Sequence, residues 1–142
     1  MRDFVYPARL TADRKDGGYV VTFRDLPEAI TQGDTVDACL EEAAGALQAA
    51  LEGRIMEGLE IPSGTAPKRG ERSIAVPVQT ALKAALYLAM REAGITRVEL
   101  ARRLKIDEKE ARRMLDPYHA TKADRLERAL ATLGKHAELR VA

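Results

Sequence analysis

Residues 95–115, ITRVELARRLKIDEKEARRML, constrain the fold of this chain more than any other stretch. Thr96 stands three residues before Glu99, a capping-box spacing in which the hydroxyl accepts from an orphan backbone N–H and the glutamate reaches back. Asp107 and Glu110 repeat the spacing eleven residues on. Leu100, Ala101 and Leu104 give the first segment an apolar stripe, and Ala111, Met114 and Leu115 give the second one. Ile106 can plug the corner between them. Two short capped helices joined by a tight turn are the pattern of a helix-turn-helix, a module that usually binds double-stranded DNA. Lys105 stands where that motif commonly carries glycine, because the chain turns left-handed there. A non-glycine residue in that conformation costs on the order of 1 kcal/mol, which is tolerable; the alternative is that the turn differs.

The composition limits what else the chain can be. Its 142 residues suffice for one ordinary domain or two small ones. Only 4% are aromatic and none is tryptophan, which argues against stacking platforms for single strands. Cys39 is the only cysteine, so no disulfide forms within the chain. One cysteine with His119 and His136 does not make an ordinary zinc site. No metal, cofactor or catalytic constellation is expected. No stretch approaches 18 apolar residues, so no membrane span is expected, and the reading is of a cytoplasmic protein.

Charge is unevenly distributed. Residues 1–60 carry a net −6, residues 61–73 a net +2 and residues 74–142 a net +5. An acidic half joined to a basic half suggests two partners of opposite charge.

Along the first half, strands are expected at residues 4–11, 19–23 and 29–32, the first two joined as an antiparallel hairpin through the polar stretch ending in Gly17 and Gly18. A long helix follows, capped by Asp34 or Thr35, with Val36, Cys39, Leu40, Ala43, Leu47, Ala50 and Leu51 on its apolar face. Gly58 ends it. Residues 60–72 read as a loop, and residues 73–78 as a short strand returning to the sheet. From Thr80 the pattern is helical: a helix stopped by Gly94, the two short helices, and a final helix capped by Thr121 and stopped by Gly134. Residues 138–141 could form a terminal strand pairing across a dimer. The fold class is therefore α+β, a β-β-β-α-β domain at residues 1–79 followed by an all-α domain at residues 80–142.

These residues together resemble the HicB antitoxins of bacterial toxin–antitoxin modules. The resemblance rests on GGYVVTFRDLPEAITQGDT at 17–35, ALEGRI at 50–55, LARRL at 100–104 and DPYHATKADRLERALATLGK at 116–135. It implies a partial ribonuclease-H-like first domain that blocks a HicA-type toxin, a small basic protein that cleaves mRNA with a histidine. It also implies a second domain that binds the operator of its own operon as a homodimer or tetramer. Glu28 departs from the family, which tends to carry glycine after Asp-Leu-Pro; Lys105 is the other departure. Ribonuclease-H chemistry needs carboxylates converging on metal ions. Asp16, Asp34, Asp37, Glu41 and Glu42 all have structural or solvated assignments, so the chain is not expected to be an enzyme.

For DNA, the outward residues of the second short helix are Glu108, Lys109, Arg112 and Arg113. Lys109 and Arg112 project together and can reach guanine edges in the major groove. Thr96, Arg97, Thr121 and Lys122 open neighbouring helices and can donate to phosphate oxygens. His119 reads as a loop residue satisfying a local hydrogen bond. For the toxin, an acidic domain complements a basic partner, with the loop Asp25, Leu26, Pro27 and Glu28 as the candidate contact. The alternative function is a stand-alone helix-turn-helix transcriptional regulator whose α+β domain senses a small molecule.

Overall fold

A computed structural model describes residues 1–142. The chain divides into two compact units, Met1–Pro77 and Val78–Ala142, of α+β and all-α construction respectively.

In the first unit, β1 (Val5–Ala12) and β2 (Tyr19–Phe23) pair antiparallel, Ala8 opposite Phe23 and Ala12 opposite Tyr19. β3 (Ile30–Gly33) pairs with the far edge of β2, and β4 (Glu71–Ala75) with the far edge of β1. The sheet order is β3-β2-β1-β4. The period-2 alternation sends Tyr6, Ala8, Val21, Phe23 and Ile74 to one buried face. Helix α1 (Val36–Glu57) covers that face with Cys39, Ala43, Leu47 and Leu51, all fully buried. Of the two candidate caps, Thr35 is the one used: its Oγ1 accepts from the Ala38 N–H at 3.1 Å. Gly58, left-handed at φ 68°, ends the helix.

Three strand expectations shift, the first by one residue, from 4–11 to Val5–Ala12. The third strand begins at Ile30 because Ala29 belongs to the preceding turn, its N–H donating to the Leu26 carbonyl at 2.9 Å. The fourth runs over Glu71–Ala75, not residues 73–78. Val76 still donates to the Phe4 carbonyl at 3.0 Å, but Pro77 has no N–H to continue a ladder. Val78 then opens a helix.

The second unit contains α2 (Val78–Ala93), α3 (Arg97–Leu104), α4 (Glu108–Leu115) and α5 (Ala123–Thr132). Leu82, Leu86, Met90, Leu100, Leu104, Met114, Leu126 and Leu130 form its core, with Ile106 packed against it from the turn. Gly94 ends α2 left-handed at φ 67°. Lys105 ends α3 at φ 56°, ψ 45°, the one non-glycine residue with positive φ. Its N–H and that of Ile106 satisfy the last carbonyls of α3. Lys105→Gly is therefore expected to stabilise this unit by about 1 kcal/mol, read as a higher melting temperature. A lower one would show that the lysine side chain contributes more than its backbone conformation costs.

The final helix differs from expectation at its start. Its N-cap is Lys122, with no side-chain capping bond, and Thr121 is engaged elsewhere. Residues 138–141 form no strand within the chain; residues 134–142 are exposed and without regular structure.

Candidate functional site

Both short helices of the second unit start on side-chain caps. Thr96 Oγ1 accepts from the Glu99 N–H at 3.2 Å, and Asp107 Oδ1 accepts from the Glu110 N–H at 2.7 Å. Only this half of each capping box forms. Glu99 is drawn to Arg102 and Arg103, and these hydrogen bonds, Arg102's the larger, hold its carboxyl down at about 2. Glu110 is drawn to Arg125 at 3.0 Å. In the first case guanidiniums one turn along the same helix, and in the second a guanidinium on α5, outcompete the glutamate's own backbone.

The consequence is a sorting of the cations. Arg102 and Arg103 are tied to Glu99, whereas Arg97, Lys109, Arg112, Arg113 and Lys122 are exposed and carry no ion pair. On α4, Ala111 and Met114 face the core, so Lys109, Arg112 and Arg113 project outward, with Glu108 exposed in the first turn. An open cleft of about 390 Å³ lies beside them, lined by Lys109, Arg113, His119, Lys122 and Arg125 together with Asp107 and Glu110. The His119 backbone N–H makes the local loop bond, to the Asp116 carbonyl at 3.2 Å, while its side chain stays exposed on the cleft. Thr96 is exposed, but its hydroxyl is the α3 cap.

Thr121 is the exception among the candidates. Its N–H donates to Gln79 Oε1 and its carbonyl accepts from Gln79 Nε2, both at 2.9 Å. Its hydroxyl accepts from Lys83 Nζ at 2.7 Å. Thr121 therefore joins α2 to the segment between α4 and α5, and its backbone N–H is not available to a phosphate.

Lys83 itself was not legible as important. It is 2% exposed in the middle of the unit. Besides Thr121, its ammonium donates to the carbonyls of Arg113 at 2.9 Å and Met114 at 2.8 Å, in the last turn of α4. A cation at a helix C-terminus satisfies orphan carbonyls and opposes the negative end of the dipole. Burial pushes its pKa down from 10.5 to about 8, with the Asp116 carboxylate pulling the other way. Arg128 does a similar service for α3, reaching the Leu104 carbonyl at 3.3 Å. The sequence signal was a lysine set directly between Leu82 and Ala84 on a helix otherwise buried on several sides.

In the first unit, the candidate loop separates into two kinds of residue. Leu26 is fully buried in the core, so it offers no surface to a partner, a correction to its place among the toxin contacts. Asp25 anchors the long loop between α1 and β4: its Oδ2 accepts from the Thr65 N–H and hydroxyl, both at 2.9 Å. Arg24 completes the anchor, reaching the Ala66 carbonyl at 2.7 Å and Glu71 at 3.1 Å. The loop also presses close to the sheet at Gly64, where a Cβ would fall 1.8 Å from the Val5 carbonyl oxygen. Pro27 and Glu28 are exposed, Glu28 pairing with Arg54 at 3.0 Å. Glu28 has no positive φ, so this turn does not need the glycine that the family tends to place there.

The chain thus joins an acidic α+β unit to a helical unit whose α4 face carries cations without ion pairs. Comparison with known proteins gives the family. Residues 5–85 match the family model described as the HicB-like antitoxin of bacterial toxin–antitoxin systems. The chain is 38% identical over 134 residues to antitoxin HicB of Escherichia coli strain K12, covering 94% of this chain and 96% of that one. It is 37% identical to antitoxin HicB 2 of Photorhabdus laumondii, with 94% of each chain covered. Against antitoxin HicB of Pseudomonas fluorescens strain Pf0-1 it is 31% identical, covering 93% and 91%. The chain belongs to the HicB-like antitoxins, and like them it is not an enzyme. No helix is long and apolar enough to cross a membrane.

Proposed function

We propose that this antitoxin neutralises a small basic, mRNA-cleaving toxin of the HicA type through its first unit and represses its own operon through its second, acting as a homodimer or tetramer in the cytoplasm. The observation that carries the DNA half is the outward face of α4, where Lys109, Arg112 and Arg113 are exposed without ion pairs. A short capped helix presenting such a face is suited to the major groove, as the second helix of a helix-turn-helix formed by α3 and α4. Lys109 and Arg112 read base edges, and Arg97 and Lys122 contact phosphates. One such helix binds weakly, so two copies on a palindromic site supply the rest. The toxin half is supported by family membership and by the net −6 of residues 1–60, which complements a basic partner and steers its approach. Pro27 and Glu28 are the accessible part of the candidate contact loop.

Co-expression with the small basic, histidine-containing product of a neighbouring reading frame tests the toxin half. The expected result is rescue from growth arrest and co-purification of the two proteins. Continued arrest, with both proteins present and no complex, would overturn it.

A further inference from the structure

We infer that Gln79 and Lys83 are positioning residues for DNA: gripping Thr121 from α2, they hold Lys122 beside the outward face of α4, so that phosphate and base contacts form in one register. The inference rests on the reading of α3 and α4 as a DNA-binding helix-turn-helix and says what holds its geometry. Gln79 and Lys83 stand four residues apart on α2 and so share a face. The Gln79 amide takes both backbone groups of Thr121, accepting from its N–H and donating to its carbonyl, each at 2.9 Å. An ammonium has three protons to donate. Lys83 places them on the Arg113 carbonyl, the Met114 carbonyl and the Thr121 hydroxyl, at 2.9, 2.8 and 2.7 Å. The end of α4 and the residue before Lys122 are therefore fastened to one buried charge.

The local chain does little to set that spacing. Residues 116–122 contain no helix or strand, and Tyr118, His119 and Ala120 are exposed. Their own hydrogen bonds close only the turn from Asp116 to His119. Helix α5 starts at Lys122 without a side-chain cap. With Thr121 held, His119 and Lys122 line the same cleft as Lys109 and Arg113 of α4. Phosphate contacts fix the register in which a helix meets base edges, so slack between Lys122 and Lys109 would blur which base Lys109 reaches. A fully satisfied buried polar network specifies one geometry, and this one joins the two groups that touch DNA.

The test leaves every cation in place. In the full chain, Gln79→Ala/Thr121→Val frees residue 121 from α2 but leaves Lys83 its two carbonyls, so α4 keeps its cap. Without DNA, order parameters of residues 119–122 from backbone nitrogen relaxation should fall from about 0.85 to below about 0.6, while those of α4 hold. Affinity for a duplex that wild type selects from a random-sequence library should fall about tenfold, the equivalent of one lost base contact. Affinity for the scrambled duplex should not change. Thr121→Ser, which keeps the hydroxyl, should bind as wild type does, and Thr121→Val alone should lose discrimination in smaller measure. All are compared where circular dichroism shows each variant folded, so lowered stability by itself moves neither readout. Order parameters that match those of wild type, or equal affinity changes for the two duplexes, would overturn the positioning role. A wild type that selects no duplex would overturn the operator reading and the inference with it.

Discussion

Replacing Lys83 with alanine is expected to destabilise the helical unit by about 2–4 kcal/mol, the sum of a truncated buried side chain and acceptors left without their donor. The ammonium is shared by the carbonyls of Arg113 and Met114 and the hydroxyl of Thr121. Its loss unties the end of α4 from α2 and from the segment leading to α5. For a unit of this size that energy lowers the melting temperature by roughly 10 °C or more, measurable by circular dichroism of the full chain. Lys83→Met fills the volume without a donor and should fall between wild type and alanine. The pH dependence separates the charge from the packing. The folded pKa of about 8 lies below the usual value of 10.5, so between those values the unfolded chain binds more protons and stability rises with pH. The neutral amine still donates to both carbonyls, and Thr121 can donate to it in turn. Wild-type stability should climb from pH 8 to pH 10.5 relative to Lys83→Met, and a parallel course for the two proteins would contradict the assignment.

The second large effect is expected on DNA. Reversing Lys109 and Arg112 together to glutamate should weaken operator binding by at least 100-fold. A bidentate contact to guanine is worth about 1–3 kcal/mol, and each reversed charge adds repulsion from phosphates. Both side chains are exposed and make no ion pair, so the substitutions leave the core of the unit untouched and the melting temperature should move little. Single neutral changes distinguish the roles. Lys122→Gln should reduce affinity for all sequences alike and lower the salt slope by about one, whereas Arg112→Gln should relax the preference at particular base pairs. Electrophoretic mobility shifts at several salt concentrations read both quantities.

Much of the second unit was legible because its signals are local. The caps at Thr96 and Asp107, the apolar stripes of α3 and α4, and the left-handed turn at Lys105 each depend on residues within one or two turns. The reciprocal halves of the capping boxes were not legible. Whether Glu110 reaches its own N-cap or Arg125 depends on a side chain fifteen residues away. Lys83 was illegible for the same reason: a lysine near an apolar stripe looks like a solvated one until the end of α4 is known to lie against it. In the first unit, alternation predicted the hairpin and the buried face. It did not predict that Asp25 would hold Thr65 forty residues on, since a carboxylate anchoring a loop has no periodicity. Leu26 shows the limit of reading a motif as a contact surface, because Pro27 and Glu28 face solvent while it fills the core.

The claim that toxin neutralisation and operator binding belong to different units is tested most directly in cells carrying the toxin and an operator-driven reporter, with Lys109→Glu/Arg112→Glu as the antitoxin. Growth should be rescued as fully as by wild type while repression of the reporter is lost. Loss of both activities in a folded variant, or repression that survives the two reversals, would contradict the account.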